Sequence, residues 1–304
     1  MVVGGVASDR FRQSRVAAIA ALVRISFVLL MILALHLNQL NFWAILVFAA
    51  IYGISDAFFV PAINSLAPLT VPQSHLKSAN SLLQASNQIS MIGGPLLGAA
   101  MIALSFDAAL VAVSILLLVS VGSVMFVREP PTAAPADRAS PWAQIKQGIA
   151  YVTHSPELKN CLALIVVVNF FFFGPLLMGV PILVAEGLGS SARDLGLLQG
   201  SYAAGMITGA VIIGLIPVTR YMLYTTGIIT LGVGLLALGF ATHVWNGVAL
   251  LILMGSISAS INVLLITRVQ QNAEKNMLGR VMALLSVASS GLLPISYALL
   301  GVLV

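Results

Sequence analysis

Two ionisable side chains sit well inside long apolar stretches of this chain, Arg24 and Asp56. A carboxyl group surrounded by hydrocarbon is one of the few side chains that can gain and lose a proton there, whereas a guanidinium stays charged. The chemistry they offer is therefore proton carriage by Asp56, with Arg24 as its counter-charge or as a contact for an anionic ligand. The structural alternative is a helix-packing polar group at Asp56, satisfied by neighbouring hydroxyls or by Arg24. Other polar residues in apolar surroundings are Asn87, Gln88, Asn169 and Asn262. Asn169 and Asn262 are candidates to face a cavity, with interhelical hydrogen bonding as the alternative. Phe170, Phe171, Phe172 and Phe173 follow Asn169 and offer stacking surface, but four consecutive residues point all around a helix.

The elements that must hold these residues are set by composition. Hydrophobic residues make up 60% of the 304 and charged residues only 8%, with a mean hydropathy of +1.06. Such a chain cannot present a water-soluble surface, and an all-α polytopic membrane protein is expected. Apolar runs of about 20 residues, the length that crosses a bilayer core, fall near 16–37, 42–64, 80–104 and 108–127. After a polar gap, others fall near 159–185, 194–217, 221–241, 244–267 and 279–304. The expectation is about nine transmembrane helices in two sets, 1–127 and 159–304.

Lys and Arg are retained on the cytoplasmic side of a membrane. Of the fourteen basic residues, all but Arg24 and Arg193 fall in alternate loops on one side. That places residue 1 in the cytoplasm and the C-terminus outside; the expected location is the inner or plasma membrane, in a bacterial cell. The same scatter accounts for the net charge of +5 without a nucleic-acid partner. Between the two sets, 128–158 is a Pro/Ala-rich cytoplasmic linker. Ser140 and Pro141 start a helix there, and Trp142, Ile145, Ile149 and Val152 recur at helical spacing. This amphipathic helix either lies on the inner membrane surface or packs on the cytoplasmic ends of the spans.

Enzymatic chemistry has little support. Gly255-Ser256-Ile257-Ser258 lacks a following glycine, His36, His75, His154 and His243 lie near span ends, and no H-E-x-x-H, phosphate loop or Cys/His cluster occurs. Cys161 is a lone cysteine. No cofactor and no metal site are expected.

The sequence opens on Gly4-Gly5-Val6-Ala7-Ser8-Asp9-Arg10-Phe11-Arg12-Gln13-Ser14-Arg15. Gly4, Gly5, Asp9, Arg10 and Arg15 resemble the loop between the second and third helices of major facilitator superfamily transporters, although Arg12 stands where that family often has Gly or Asp. Gly94, Pro95 and Gly98 resemble the G-P-x-x-G element of the family's fifth helix, associated with exporters and antiporters; a small-residue packing seam is the alternative. Gly53 to Ala62, Val71-Pro72, Ala79 to Leu82 and Leu278 to Met282 look like the efflux branch that includes macrolide efflux proteins and enterobactin exporters. Pro95 and Pro294 occupy corresponding spans of the two sets.

The resemblance implies a secondary transporter that exports a small molecule, a drug-like compound or siderophore, in exchange for protons by alternating access. It implies that the spans here correspond to the family's third to eleventh helices, so that a truncated, transport-incompetent derivative is the alternative. It also implies a gating role for Gly5, Asp9, Arg10, Arg15 and Arg280, with Asp9 near the positive N-terminus of the span that begins at Gly279.

Overall fold

The computed structural model describes residues 12–39, 41–129, 141–187, 192–216, 222–274 and 277–303, and all regular structure among them is helical. Gly5, Asp9 and Arg10 lie outside the described residues. The helices are α1 (Gln13–His36), α2 (Phe42–Thr70), α3 (Leu76–Leu104), α4 (Phe106–Met125), α5 (Pro141–His154), α6 (Pro156–Gly187) and α7 (Ala192–Leu215). They continue with α8 (Met222–Gly239), α9 (Val244–Asn272), α10 (Leu278–Ser290) and α11 (Leu293–Leu303). Among the described residues, eight helical stretches are long and apolar enough to cross a bilayer, α10 and α11 together forming one of them, and a shorter apolar helix covers Leu223–Gly239. The expected polytopic all-α architecture is thus observed.

Local chemistry sets where these helices start and stop. The Asn41 side chain accepts from the Ala44 N–H at 2.9 Å, and the Ser105 hydroxyl oxygen accepts from the Ala108 N–H at 2.9 Å. Each satisfies a donor that the first turn leaves without an intrahelical partner. The break between α10 and α11 falls at Gly291 and Leu292, ahead of Pro294, which fits a first turn because its missing N–H is not needed there. Inside α6, Asn169–Phe173 and Leu183–Gly187 are wound as π-helix. At the first of these the Ser296 hydroxyl donates to the Phe170 carbonyl at 2.8 Å, a partner for a backbone group displaced from the regular ladder.

The chain divides into two compact units, each assembled from separated segments. The first comprises Met1–Val71, Gly94–Pro156 and Ala273–Val287; the second comprises Pro72–Gly93, Glu157–Asn272 and Ala288–Val304. In the first unit α1 packs on both α2 and α4. Its small residues make that possible: Ala17 meets Ala62 and Val124, while Ala18, Ala21 and Ile25 meet Val121. In the same unit α5 packs on α10, where a Cβ at Gly148 would lie 3.2 Å from the Cβ of Arg280. In the second unit α9 is the most enclosed helix, flanked by α7 and α8, and α11 packs on α6.

The seam between α7 and α9 is built from glycine. A Cβ on Gly205 would overlap the Ile252 carbonyl, one on Gly209 would overlap the backbone of Ser256, and one on Gly255 would overlap the Tyr202 carbonyl. Backbones this close are how helices associate in a solvent as apolar as their own side chains. Outward-facing positions remain large and apolar, among them Ile19, Leu29, Trp43, Ile115, Leu215 and Phe240. A surface of that kind is matched to lipid, which supplies no hydrogen bonds and requires none.

Candidate functional site

The charged centre lies in the first unit, between α1 and α2. The Arg24 guanidinium donates through one terminal nitrogen to the Asp56 carboxylate, forming an ion pair inside two membrane spans. The Arg24 side chain is only 6% exposed, whereas that of Asp56 is 45% exposed. The pair is therefore enclosed from the arginine side and open from the acid side. The guanidinium carbon sits 4.7 Å from the ring centroid of Tyr52 and 4.6 Å from that of Phe59. Two aromatic faces thus replace part of the hydration that Arg24 has lost. Its Nε is buried without a hydrogen-bond partner among the described residues, so the cation is not fully satisfied by Asp56.

Local sequence explains this assembly. Tyr52, Asp56 and Phe59 are spaced by four and three residues, which places all three on one face of α2. Arg24 follows the small residues Ala17, Ala18 and Ala21, whose close packing brings the backbone of α1 near that face. The sequence singled out Arg24 and Asp56 by their isolation. It missed Tyr52 and Phe59, although their spacing relative to Asp56 carries the signal.

The other sequence-derived candidates are dispersed. Arg15 is exposed in the first turn of α1. Arg280 donates to Gln147 Oε1 at 2.9 Å and to Met277 Sδ at 3.4 Å, tying the start of α10 to α5. At the start of α1 the Glu129 carboxylate accepts from the backbone N–H groups of Gln13, at 3.0 Å, and of Ser14. Gly94, Pro95 and Gly98 lie within the continuous helix α3, and apart from the chain neighbours and the adjacent backbone of that helix no described atom lies within 4 Å of a Cβ built on either glycine. Asn169 donates to the Ile165 carbonyl at 2.8 Å and is half-buried, as is Asn262. Phe172 is buried and Phe171 exposed, while the Phe173 ring meets the edge of Tyr202 at 6.2 Å between centroids.

A second polar centre, neutral in charge, belongs to the second unit. The Asn80 amide donates to Thr267 Oγ1 at 2.9 Å and to Gln270 Oε1 at 2.7 Å, with all three residues buried. At the next residue Ser81 donates to the Ala210 carbonyl, and about one turn earlier Lys77 donates to the Ile216 carbonyl near the C-terminus of α7. A cation there complements the negative end of the helix dipole. Asn80 and Ser81 entered the sequence reading only as letters of a family motif, so this network was missed.

A profile of the Major Facilitator Superfamily matches residues 1–296. The chain belongs to that superfamily. Its members are membrane transporters rather than enzymes, and the chain shares their family and fold. Macrolide efflux protein A of Enterococcus faecalis is 23% identical over 236 residues, 76% of this chain and 73% of the relative. Macrolide efflux protein A of Streptococcus pyogenes is also 23% identical over 236 residues, and there the match spans only 58% of the relative. Among solved structures, the fucose:proton symporter FucP of E. coli superposes with a TM-score of 0.72 at 13% identity, over all of this chain and 80% of its own. That likeness speaks for the superfamily fold alone. Within it, the Arg24–Asp56 pair is the described site whose chemistry differs most from lipid-facing packing.

Proposed function

We propose that this superfamily member is a secondary active exporter that moves a drug-like lipophilic compound or a siderophore out of the cell in exchange for protons, by alternating access. The observation that carries the reading is the ion pair between Arg24 and Asp56, enclosed by Tyr52 and Phe59 within membrane spans. The names of the macrolide efflux relatives support the direction of transport and the lipophilic class of cargo.

Asp56 accepts the proton and Arg24 supplies the alternative charge state of the site. When Asp56 is ionised, the pair is held by charge and its carboxylate is neutralised. When Asp56 takes up a proton, the guanidinium loses its partner and keeps only the two aromatic faces. The site then carries one net positive charge and favours a different packing of α1 on α2, or an anionic ligand. A conformational equilibrium shifts only as far as such differential interactions allow. Gly5, Asp9, Arg10, Arg15 and Arg280 are proposed to bias that equilibrium from the cytoplasmic side, Gly94, Pro95 and Gly98 to permit helix movement in α3, and Asn169 and Asn262 to line the cargo path. The distribution of basic residues supports a cytoplasmic N-terminus, and the bacterial efflux relatives support a bacterial plasma membrane.

The test is uptake of erythromycin into inside-out membrane vesicles containing the chain, energised by an imposed proton gradient. Accumulation that collapses on adding a protonophore is expected. Accumulation indifferent to the protonophore would remove the proton coupling, and none beyond that of vesicles without the protein would remove export of this cargo class.

A further inference from the structure

The second unit contains a cavity of about 330 Å³ to which α7, α8 and α9 all contribute, lined by Ile212, Ile216, Leu223, Gly227, Thr230 and Ile257 among others. Helices α7 and α8 both pack on α9, which forms the floor. Close packing at Gly227 makes the floor continuous, since a Cβ there would come within 2.8 Å of Ile261 Cδ1. Ile212 and Ile216 are exposed along one wall, so the cavity is an open groove in membrane-spanning helices and not a sealed void.

Its walls are apolar in effect as well as in composition. Ser256 donates its hydroxyl proton to the Ile252 carbonyl at 2.8 Å, with the Gly205 carbonyl at 3.0 Å. Ser260 donates to the Ser256 carbonyl at 2.8 Å, and Thr230 to the Thr226 carbonyl at 2.8 Å. With these donors engaged by helix carbonyls, the groove offers hydrocarbon and little hydrogen bonding to an occupant.

At one end the chemistry changes sign. Ile216 lines the groove, and its carbonyl accepts from the Lys77 ammonium. An ammonium has three donors. One is directed at Ile216, and among the described residues no hydrogen bond or ion pair engages the other two, while the contact itself is exposed. A hydrocarbon slot with a cation bound to the backbone of one of its lining residues matches a molecule with an acyl chain and an anionic head.

We propose that this groove binds an anionic phospholipid of the surrounding bilayer, with an acyl chain between α7 and α8 and its phosphate on Lys77. The occupant is distinct from any transported cargo, and the inference does not rest on the transport reading. Lipid selectivity follows from Lys77, because one lysine at an anionic surface shifts binding by about fivefold, while the apolar walls hold any chain alike.

The experiment is native mass spectrometry of the detergent-solubilised chain with equal amounts of phosphatidylglycerol and phosphatidylcholine carrying the same chains. The wild type is expected to retain phosphatidylglycerol about fivefold over phosphatidylcholine. Lys77→Gln still offers a donor to the Ile216 carbonyl, so the fold is kept while the preference falls to parity; Lys77→Arg keeps it. Thr230→Trp fills the groove and lowers adducts of both lipids. Equal retention of the two lipids by the wild type would show an unselective slot and overturn the proposal. So would an undiminished preference in Lys77→Gln, undiminished adducts in Thr230→Trp, or displacement of both lipids by erythromycin, which would make the groove part of a cargo path.

Discussion

Arg24 with Asp56 in the first unit, and Asn80 with Thr267 and Gln270 in the second, are both polar clusters set among apolar helices, yet they differ in charge and in closure. The neutral cluster is buried on all its members, and both amide hydrogens of Asn80 find acceptors. The charged cluster leaves nearly half of the Asp56 side chain open and one Arg24 nitrogen without a partner. A closed, satisfied cluster fixes how helices meet and gains nothing from changing state. An ion pair in hydrocarbon costs more to build and is only partly repaid by attraction. On the proposed function, that cost is offset by what a change of protonation or of partner does at the site.

The largest effect expected from breaking this contrast is at Asp56. Asp56→Leu leaves an enclosed guanidinium with no counter-charge, and because Asp56 is half open the expected loss falls below the about 3–5 kcal/mol that removing one partner of a fully buried pair costs. A marked fall in melting temperature in detergent checks it. The double variant Asp56→Leu with Arg24→Leu is expected to recover most of that loss while transport stays abolished. A double variant as unstable as the single one would show that the pair holds the fold and not a function.

The next effect sharpens the comparison from the packing side. Gly209→Val places a branched side chain against the backbone of Ser256, and overpacking of this kind costs about 1–3 kcal/mol. Loss of folded protein on size-exclusion chromatography is the readout. The same substitution at Gly94, where no described atom beyond the adjacent backbone of α3 stands within 4 Å of a Cβ, is expected to leave stability nearly unchanged.

Asn80→Ala removes the donor of the neutral cluster and strands Gln270 and Thr267 only partly, because Thr267 also donates to the Val263 carbonyl at 2.7 Å. A cost of about 0.6 kcal/mol, the mean for interhelical hydrogen bonds in membranes, is expected. Thermal melting should register it with transport retained. The smallest effect is at Glu129, whose carboxylate sits on the first N–H groups of α1. Glu129→Gln keeps a hydrogen-bond acceptor and loses the charge, for about 0.3–1 kcal/mol at low ionic strength. The difference from the wild type should shrink as salt is added.

Much of this architecture was legible in the amino-acid sequence, for a physical reason. A bilayer demands about 20 apolar residues per crossing, so span positions are written locally. The same holds for the helix at Pro141–His154, where a Pro start and apolar recurrence suffice. Arg24 and Asp56 stood out because ionisable groups are rare in hydrocarbon. Their pairing was one of several options, since it depends on α1 lying against α2. Tyr52 and Phe59 were readable from their spacing, but aromatic residues in a span serve equally well against lipid. The Gly205-x-x-x-Gly209 seam obeys the same small-residue rule applied to Gly94 and Gly98. The rule identifies faces able to approach and does not say which of them have a partner. Least legible were the contributions of 72–93 to the second unit and of 273–287 to the first, because nonlocal assembly leaves no local periodicity.

The central claim is that Asp56 carries the coupling proton beside Arg24. Its most direct test separates substrate exchange from gradient-driven accumulation in the same vesicles, for the wild type and for Asp56→Asn. Asp56→Asn is expected still to exchange labelled for unlabelled erythromycin across the membrane, but no longer to accumulate it when a proton gradient is imposed. Gradient-driven accumulation by Asp56→Asn at the wild-type level would contradict it.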